Sequence, residues 1–423
     1  MEPVHTISQM LYSVLIYPVA VFSVIFYILA VYGAKRRSRK MKMKRISNWP
    51  TVTIQIPTKD ELVAIRCAKK CLKFDYPKNK FEIIIGDDST NPEISKKIKE
   101  FAKKYKNVKV TRRNSNFGYK PGNLNHMLKY SEGDILVIFD SDFVPGKNFL
   151  KNIVAPFVYD EKIACVQAKW DYLNIRQNTT SKLSSSILMV YHHLIAPINN
   201  KLGISLLFGS GEAIRKSVLI ELGGWKNWAM TEDVEFSLRA IKHGYKTVYL
   251  EDVTVPGEVP FTVDGLAKQQ KRWAYGNTKA FMDNMKWVMF GKRFSLTQKF
   301  FLLLTLVGYV SAPIILAFII TGTIFWFTGT PGSINLALFF WETSRILIIN
   351  SGFLFAMLIA LSKEHRKEMT FHVFIASLTI GLWIAVSVFD GFIKAITRRE
   401  MKWYMIRKRG NEQLILKNGV RPF

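Results

Sequence analysis

Cysteine is scarce in this chain, with only Cys67, Cys71 and Cys165 among 423 residues. A small, odd number excludes a disulfide framework and points to a reducing compartment. Cys67 and Cys71 stand one helical turn apart with no histidine or further cysteine beside them, so they read as apolar core residues rather than metal ligands. Acidic residues are also few, 32 Asp and Glu against 60 Lys and Arg, for a formal net charge of +28. No G-x-G-x-x-G turn follows the first strand-like segment and no Walker P-loop occurs anywhere. Their absence removes the common dinucleotide-binding and P-loop folds. What is plentiful is apolar surface, at 49% of residues, and this excludes a mainly disordered chain despite the charge. A mean hydropathy of +0.08 beside 22% charged residues implies that apolar and charged segments are segregated.

The apolar material falls into blocks. Residues 11–34 carry no charge and are long enough to cross a hydrocarbon core of about 30 Å at about 1.5 Å per residue. A cleaved signal peptide fits poorly, because the basic run KRRSRKMKMKR at 35–45 follows the apolar stretch instead of preceding it. That flank reads as cytoplasmic by the positive-inside bias. Attraction to anionic lipid accounts for it more simply than nucleic-acid binding, so no nucleic-acid partner is expected. Three further blocks follow at 300–327, 334–361 and 370–396, and a basic tail closes the chain. Three crossings would leave that tail on the wrong side for its charge. One block is therefore expected to lie in the interface or re-enter, and the amphipathic start of the first, SLTQKFFLL at 295–303, is the suspected one. The expected organisation is an N-terminal transmembrane helix with its basic flank (1–45), a cytoplasmic domain (46–293), transmembrane or interfacial helices (294–397) and a basic tail (398–423). The protein is thus expected to be integral to the cell membrane, with its soluble domain in the cytoplasm.

Within 50–293 strand and helix patterns alternate. TVTIQIP (51–57), FEIIIGDD (81–88), VKVTRR (108–113), GDILVIFDSD (133–142) and IACVQAKW (163–170) read as strands, several of them near-continuous apolar runs of the kind buried on both faces. Repeated β-α-β units imply an α/β fold with a mostly parallel sheet, whose ligands bind beyond the carboxyl ends of the strands. Those ends are acidic. Thr58 and Glu61 follow the first strand, Asp87 and Asp88 the second, and Asp140 and Asp142 the fourth. A crevice so lined suits an anionic ligand bridged by a divalent metal, Mg²⁺ or Mn²⁺.

Several segments stand out. The alternate carboxylates of Asp140-Ser141-Asp142 point the same way in an extended chain, although D-x-D alone is common in loops. Thr231-Glu232-Asp233 opens a helix, where acids also complement the helix dipole. Gly-rich FGSGEAIRK (208–216) and LGGW (222–225) flank it and allow close approach of a chain or sugar. Gln269-Gln270-Lys271-Arg272-Trp273 lies on a helix from about 263 to 285, where Arg272 suits phosphate and Trp273 a sugar face. That helix could equally be an amphipathic membrane support. His192 and His193 fall in an amphipathic stretch read as an interfacial helix, with no catalytic role.

With Asp87-Asp88-Ser89, Lys120-Pro121-Gly122-Asn123-Leu124-Asn125, Asp140-Ser141-Asp142, Thr231-Glu232-Asp233 and Gln269 to Trp273 in this order, the chain resembles the membrane-integrated glycosyltransferases of family 2. It is most similar to the processive synthases of cellulose, chitin, hyaluronan and poly-N-acetylglucosamine. The resemblance implies a GT-A fold and a nucleotide-diphosphate sugar donor, most often a UDP-sugar. It implies that Thr58, Glu61, Asp87 and Asp88 hold the nucleoside, and that Lys120 contacts the diphosphate. Asp142 would coordinate the metal, with Asp140 beside it at the ribose or diphosphate. Asp233 would be the general base, Glu232 beside it, while Gln269, Arg272 and Trp273 pin the diphosphate and acceptor sugar. The implied reaction is a single inverting displacement onto a growing polysaccharide. The chain departs from the pattern in having Phe143 after the D-x-D, one preceding span and no clear F-x-V-T-P-K segment. A single transfer to a ceramide-like or polyprenyl lipid acceptor is the alternative within the same chemistry. A non-catalytic membrane scaffold is the alternative outside it, against which the intact set of acids argues.

Overall fold

The computed structural model describes residues 2–38, 45–329 and 336–417. The soluble part is built on seven strands, β1 (Val52–Thr58), β2 (Phe81–Asp87), β3 (Val108–Thr111), β4 (Ile135–Ile138), β5 (Ile163–Tyr172), β6 (Glu212–Arg215) and β7 (Lys246–Gly257). They form one sheet in the order β3-β2-β1-β4-β6-β5-β7. Only β6 runs antiparallel to its neighbours, so the expected mostly parallel α/β sheet is what forms. β6 and β7 were not anticipated. β6 is only four residues long, too short to display a period. In β7 the alternation is interrupted where the ladder with β5 slips between Ala168 and Lys169.

The apolar runs are explained by burial on both faces. Ile83 and Ile85 of β2 join Ile54 and Ile56 in one core, against Ala64, Cys67 and Cys71 of the helix Val63–Cys71. Ile84 points the other way, into a second core with Leu124, Met127, Leu136 and Phe236. The cysteines are therefore the small core residues the sequence implied. Register brings the acidic ends together: Thr58 pairs with Asp87, and Val52–Gln55 pair with Ile135–Ile138, so β1, β2 and β4 finish at one edge.

Three helical segments are long and apolar enough to cross a membrane, Glu2–Lys35, Leu296–Thr328 and Lys367–Ile396; a fourth candidate, Thr343–Asn350 with Gly352–Lys363, is bent by 57°. The Glu2–Lys35 helix meets Thr328 through His5 at one end, and Arg36 accepts a hydrogen bond from Lys363 beyond the other. Leu296–Thr328 thus ends beside the start of Glu2–Lys35, and the bent pair ends beside its finish. Arg36 also makes a two-pronged pair with Glu251 of β7, at 2.8 and 2.7 Å, so this basic residue anchors the span to the soluble domain. The rest of the basic run, at 39–44, lies outside the described residues.

The long apolar helix Thr370–Ile396 behaves differently. Near its start Glu364 pairs with Lys169 at 2.8 Å, and near its end Asp390 pairs with Lys271 of the domain helix Val263–Phe290. Val373, Ala376, Ile384 and Val388 are buried against the domain, while Phe371, Leu378 and Trp383 are exposed on another side. Both ends thus stay with the soluble domain, as those of a helix lying along the membrane surface would. The suspected 295–303 segment begins the apolar helix Leu296–Thr328, with Ser295 and Gln298 closing its N-terminus as a capping box.

This topology is testable with single cysteines, because the three native ones are buried. Lys292→Cys and Lys402→Cys, both at exposed positions, should react with a membrane-impermeant maleimide from the same side of oriented vesicles. Reaction from opposite sides would mean that Thr370–Ile396 crosses the bilayer.

Candidate active site

A cavity opens beyond the joined ends of β1, β2 and β4. It is lined by Thr58, Glu61, Asp88, Lys120, Asp140, Asp142, Glu232, Asp233, Gln269, Arg272 and Trp273, eleven of the twelve residues singled out from the sequence. Asp87 is the exception. Its carboxylate is fully buried beneath the site, where it accepts from Ser89 N at 2.9 Å, from Ser95 Oγ, and from Arg112 at 3.0 Å. No oxygen is left for a nucleoside, so here Asp87 stabilises the loop after β2. Asp88 lines the cavity but is similarly committed, with Arg113 Nε and Nη2 at 2.8 and 2.6 Å from its two oxygens. The same guanidinium donates to the Phe117 and Tyr119 carbonyls, and so shapes the turn that presents Lys120. That turn is tight: Gly118 and Tyr119 have φ of 69° and 46°. For Tyr119 this is a strained, left-handed conformation of the kind retained at ligand sites.

Lys120 is the electrostatic centre. Its ammonium lies 2.9 Å from Asp140 Oδ1 and 3.1 Å from Glu232 Oε1, and it donates to the Gly209 carbonyl. Burial pulls its pKa down, but Asp140, Glu232, Glu212 and Asp233 outweigh burial and raise it well above the ordinary lysine value. Reciprocally, burial would raise the Asp140 carboxyl, yet Lys120 and Lys408 prevail and hold it below the usual range. Asp233 lacks so close a cation. Burial first, and the neighbouring Glu232 second, push its pKa up to about 7 against the pull of Lys120 and Arg272. A carboxylate tuned to near-neutral pH is the right strength for a general base.

Glu232 and Asp233 begin the helix Glu232–Lys242. Thr231 takes the N-cap position but makes no side-chain cap bond there. It is pressed instead against Gly276 of Val263–Phe290, where an added Cβ would come within 2.5 Å of its methyl carbon. Arg272, on the same helix, donates to the Met230 carbonyl at 3.1 Å. The Q-x-x-R-W helix and the T-E-D turn are thereby held in one register. Gln269 Oε1 is buried with no hydrogen-bond partner among the described residues, as expected of a group that bonds a ligand. Gly209, at φ 85°, permits a third approach: a Cβ there would lie 3.2 Å from Asp233 Oδ2 and 3.3 Å from Lys120 Nζ.

Several contributors went unrecognised in the sequence. Glu212 is fully buried, accepts from Gly209 N at 2.9 Å, and is raised well above the carboxylate range by burial and then by Asp233. The segment FGSGEAIRK was noticed for its glycines, not for this acid. Trp170 and Phe208 form an aromatic wall, and residues 403–408 of the basic tail line the other side. Lys408 pairs with Asp142 Oδ1 at 2.6 Å, and Asp142 Oδ2 accepts from Glu258 N at 2.8 Å. Trp403 lies over the Arg272 guanidinium, 4.5 Å from its carbon. The only available signal was a pair of aromatics, Trp403 and Tyr404, inside an otherwise basic run. His192 and His193 do not line the cavity. His193 bonds Glu364 at 2.6 Å and His192 meets Tyr249 at 3.2 Å, joining a π-helical turn (Tyr191–Ile195) to its neighbours.

Comparison with known proteins agrees with this geometry. The chain is 31% identical over 281 residues to Probable glucomannan 4-beta-mannosyltransferase 7 of Oryza sativa subsp. japonica, covering 63% of this chain and 48% of the relative. It is 28% identical over 266 residues to Glucomannan 4-beta-mannosyltransferase 7 of Arabidopsis thaliana, covering 61% and 48%. The chain thus spans about half the length of these curated relatives. Its fold matches that of the mannosyltransferase PcManGT from Pyrobaculum calidifontis, solved in complex with GDP-Man and Mn²⁺. The TM-score is 0.65 at 16% identity, covering 93% of this chain and all of the other. Residues 50–276, more than half of the chain, match the family described as Glycosyltransferase like family 2, from the strand before Thr58 to just past Trp273. The chain belongs to that family.

Proposed function

We propose that the protein transfers a hexose from a nucleoside-diphosphate sugar to a growing polysaccharide, by inversion, at the cytoplasmic face of the membrane. The observation that carries this reading is the pairing of a charge-balanced diphosphate subsite, Lys120 with Asp140 and Arg272, with an acid at Asp233 raised to about 7. The relatives' names favour mannose as the sugar, and GDP-Man in the structural neighbour favours a guanosine donor over the uridine donor first expected.

The residues at the D-x-D fit a divalent cation. Asp142 Oδ1 already faces a positive charge, the Lys408 ammonium, with Ser141 and Glu61 around it. Among the described residues no three His, Cys, Asp or Glu side chains gather into a self-sufficient cage. An ion that takes one or two carboxylates and completes its shell with phosphate and water matches such a site. Asp142 and Asp140 would hold it, and when bound it would neutralise charge on the departing diphosphate.

The chain's own groups do the rest. Lys120 and Arg272 hold the diphosphate, and Gln269 Oε1 accepts from the donor or acceptor. Trp273 underlies the acceptor ring and aligns its hydroxyl, a contribution that is mainly positional. Asp233 takes the hydroxyl proton as the oxygen attacks the anomeric carbon. No covalent intermediate is required. A lipid acceptor has one observation in its favour: Tyr172, Leu188 and Val259 line the cavity and also belong to the apolar cluster shared with Leu29 and Ala312 of the membrane helices. Product size separates the readings, a polymer ladder for the first and a single glycolipid for the second.

Asp233→Asn preserves shape but removes the base, so nucleotide and metal should bind normally while turnover falls by about 10²–10⁴-fold. Because the base must be deprotonated, wild-type kcat/KM should climb through pH 7 and flatten above it, and the variant should lose that limb. Near-normal turnover would remove Asp233 from the role of base.

Trp273→Ala should reduce transfer to the acceptor while nucleoside-diphosphate binding and the unfolding temperature stay close to wild type. A purely structural tryptophan would instead lower the unfolding temperature, since truncating a buried aromatic costs about 3–5 kcal/mol.

A further inference from the structure

After the interfacial helix the chain turns back, and residues 403–408 form one wall of the cavity. Two side chains fix this strap to the catalytic machinery. Trp403 stacks on Tyr119, with ring centroids 5.8 Å apart and planes 16° from parallel, and its other contact is Arg272. Lys408 inserts its ammonium among Asp142 Oδ1 at 2.6 Å, Ser141 Oγ at 2.9 Å and Glu61 Oε2 at 3.2 Å. Just beyond, Gly410 N donates to both oxygens of Glu258 at 3.1 Å, and Asn411 Oδ1 accepts from Leu62 N at 2.7 Å.

Buried carboxylates need a compensating charge, and here a side chain of the protein supplies it. The oxygen that Lys408 caps, Asp142 Oδ1, is also the free oxygen of that carboxylate, because Oδ2 is held by the Glu258 amide. An ammonium at 2.6 Å and a divalent ion at about 2 Å on the same oxygen would stand a few ångströms apart and repel each other. Two cations therefore compete for one position.

We propose that Lys408 is the resident counter-cation of the metal subsite, and that a divalent ion with a nucleoside diphosphate displaces it and frees the strap. The proposal rests on Asp142 being the metal ligand of the glycosyl-transfer reading. Exchange of this kind lowers apparent metal affinity by the fraction of molecules whose site is open. It also couples donor loading to the wall that residues 403–408 build over Arg272 and Tyr119. The strap is thereby closed while the site is empty of donor and released once the donor's charge has arrived.

The test is Mn²⁺ binding followed by the electron paramagnetic resonance of free Mn²⁺, on the full-length protein in detergent, with Mn²⁺ alone and with Mn²⁺ plus GDP. If the strap is closed in nine molecules of ten, Lys408→Met and Lys408→Gln should bind Mn²⁺ alone about tenfold more tightly than wild type. Arg407→Met removes the same charge from the same strap, but Arg407 pairs with Glu412, and Lys408 still caps Asp142. It should bind as wild type. Trypsin cleavage after Lys408 or Arg409 should accelerate in wild type when Mn²⁺ and GDP saturate the site. Equal or weaker Mn²⁺ binding by both Lys408 variants, or cleavage that slows on saturation, overturns the exchange while leaving the transferase reading intact. Failure of wild type to bind Mn²⁺ even with GDP would overturn the metal assignment and the exchange together. Thermal unfolding of each variant identifies any that fail to fold, and the two replacements at Lys408, apolar and polar, keep the comparison available.

Discussion

The site depends on one buried ammonium. Lys120 is surrounded by Asp140, Glu232, Glu212 and Asp233 in a pocket largely withdrawn from water, where an unpaired charge of either sign would be prohibitive. With Lys120 charged, Asp140 stays ionised and its partner Glu232 is only 3.1 Å away. Asp233, denied a close cation of its own, rises to about 7. One cation thus sets the pKa values of neighbouring acids far apart. The division is geometric, because Gly209 keeps the turn between Lys120 and Asp233 free of a side chain. The left-handed Gly118-Tyr119 turn, held by Asp88 through Arg113, aims Lys120 at its partners.

The membrane helices extend this constraint outward. Val263–Phe290 carries Gln269, Arg272 and Trp273 on one side and receives the interfacial helix Thr370–Ile396 at Gly391, where a Cβ would be 2.4 Å from the Lys271 carbonyl. Gly276 of the same helix abuts Thr231, so the membrane layer and the T-E-D turn pack on one helix. The return of the chain along the surface also delivers Trp403 and Lys408 to the cavity. A tail that stood out only as basic is in part a wall of the cavity.

Much of this was legible in sequence, and the reasons differ by element. The doubly buried strands announce themselves because both faces require apolar residues, as in Ile83, Ile84 and Ile85. The acids at their ends were legible because a parallel sheet gathers carboxyl termini at one edge. β6 was hidden by brevity. Asp87 was misplaced because adjacent residues of an extended chain point opposite ways: Asp88 reaches the cavity while Asp87 turns beneath it toward Ser95 and Arg112. The surface-lying helix was indistinguishable from a span by hydropathy, since a helix buried on one side by protein and on the other by lipid is apolar all round. Only its ion pairs at both ends reveal where it lies. Lys408 could not have been found from spacing, because its partners Glu61 and Asp142 are brought to it solely by the tail's return.

The central claim is a single base-assisted displacement by Asp233, and the stereochemistry of the new linkage tests it most directly. With GDP-α-mannose, Mn²⁺ and an acceptor oligosaccharide, proton NMR of the product should show a β-linked mannose from the first detectable turnover. An α-linked product would require two displacements or a front-face mechanism, and would contradict the assignment of Asp233 as the base of a one-step reaction.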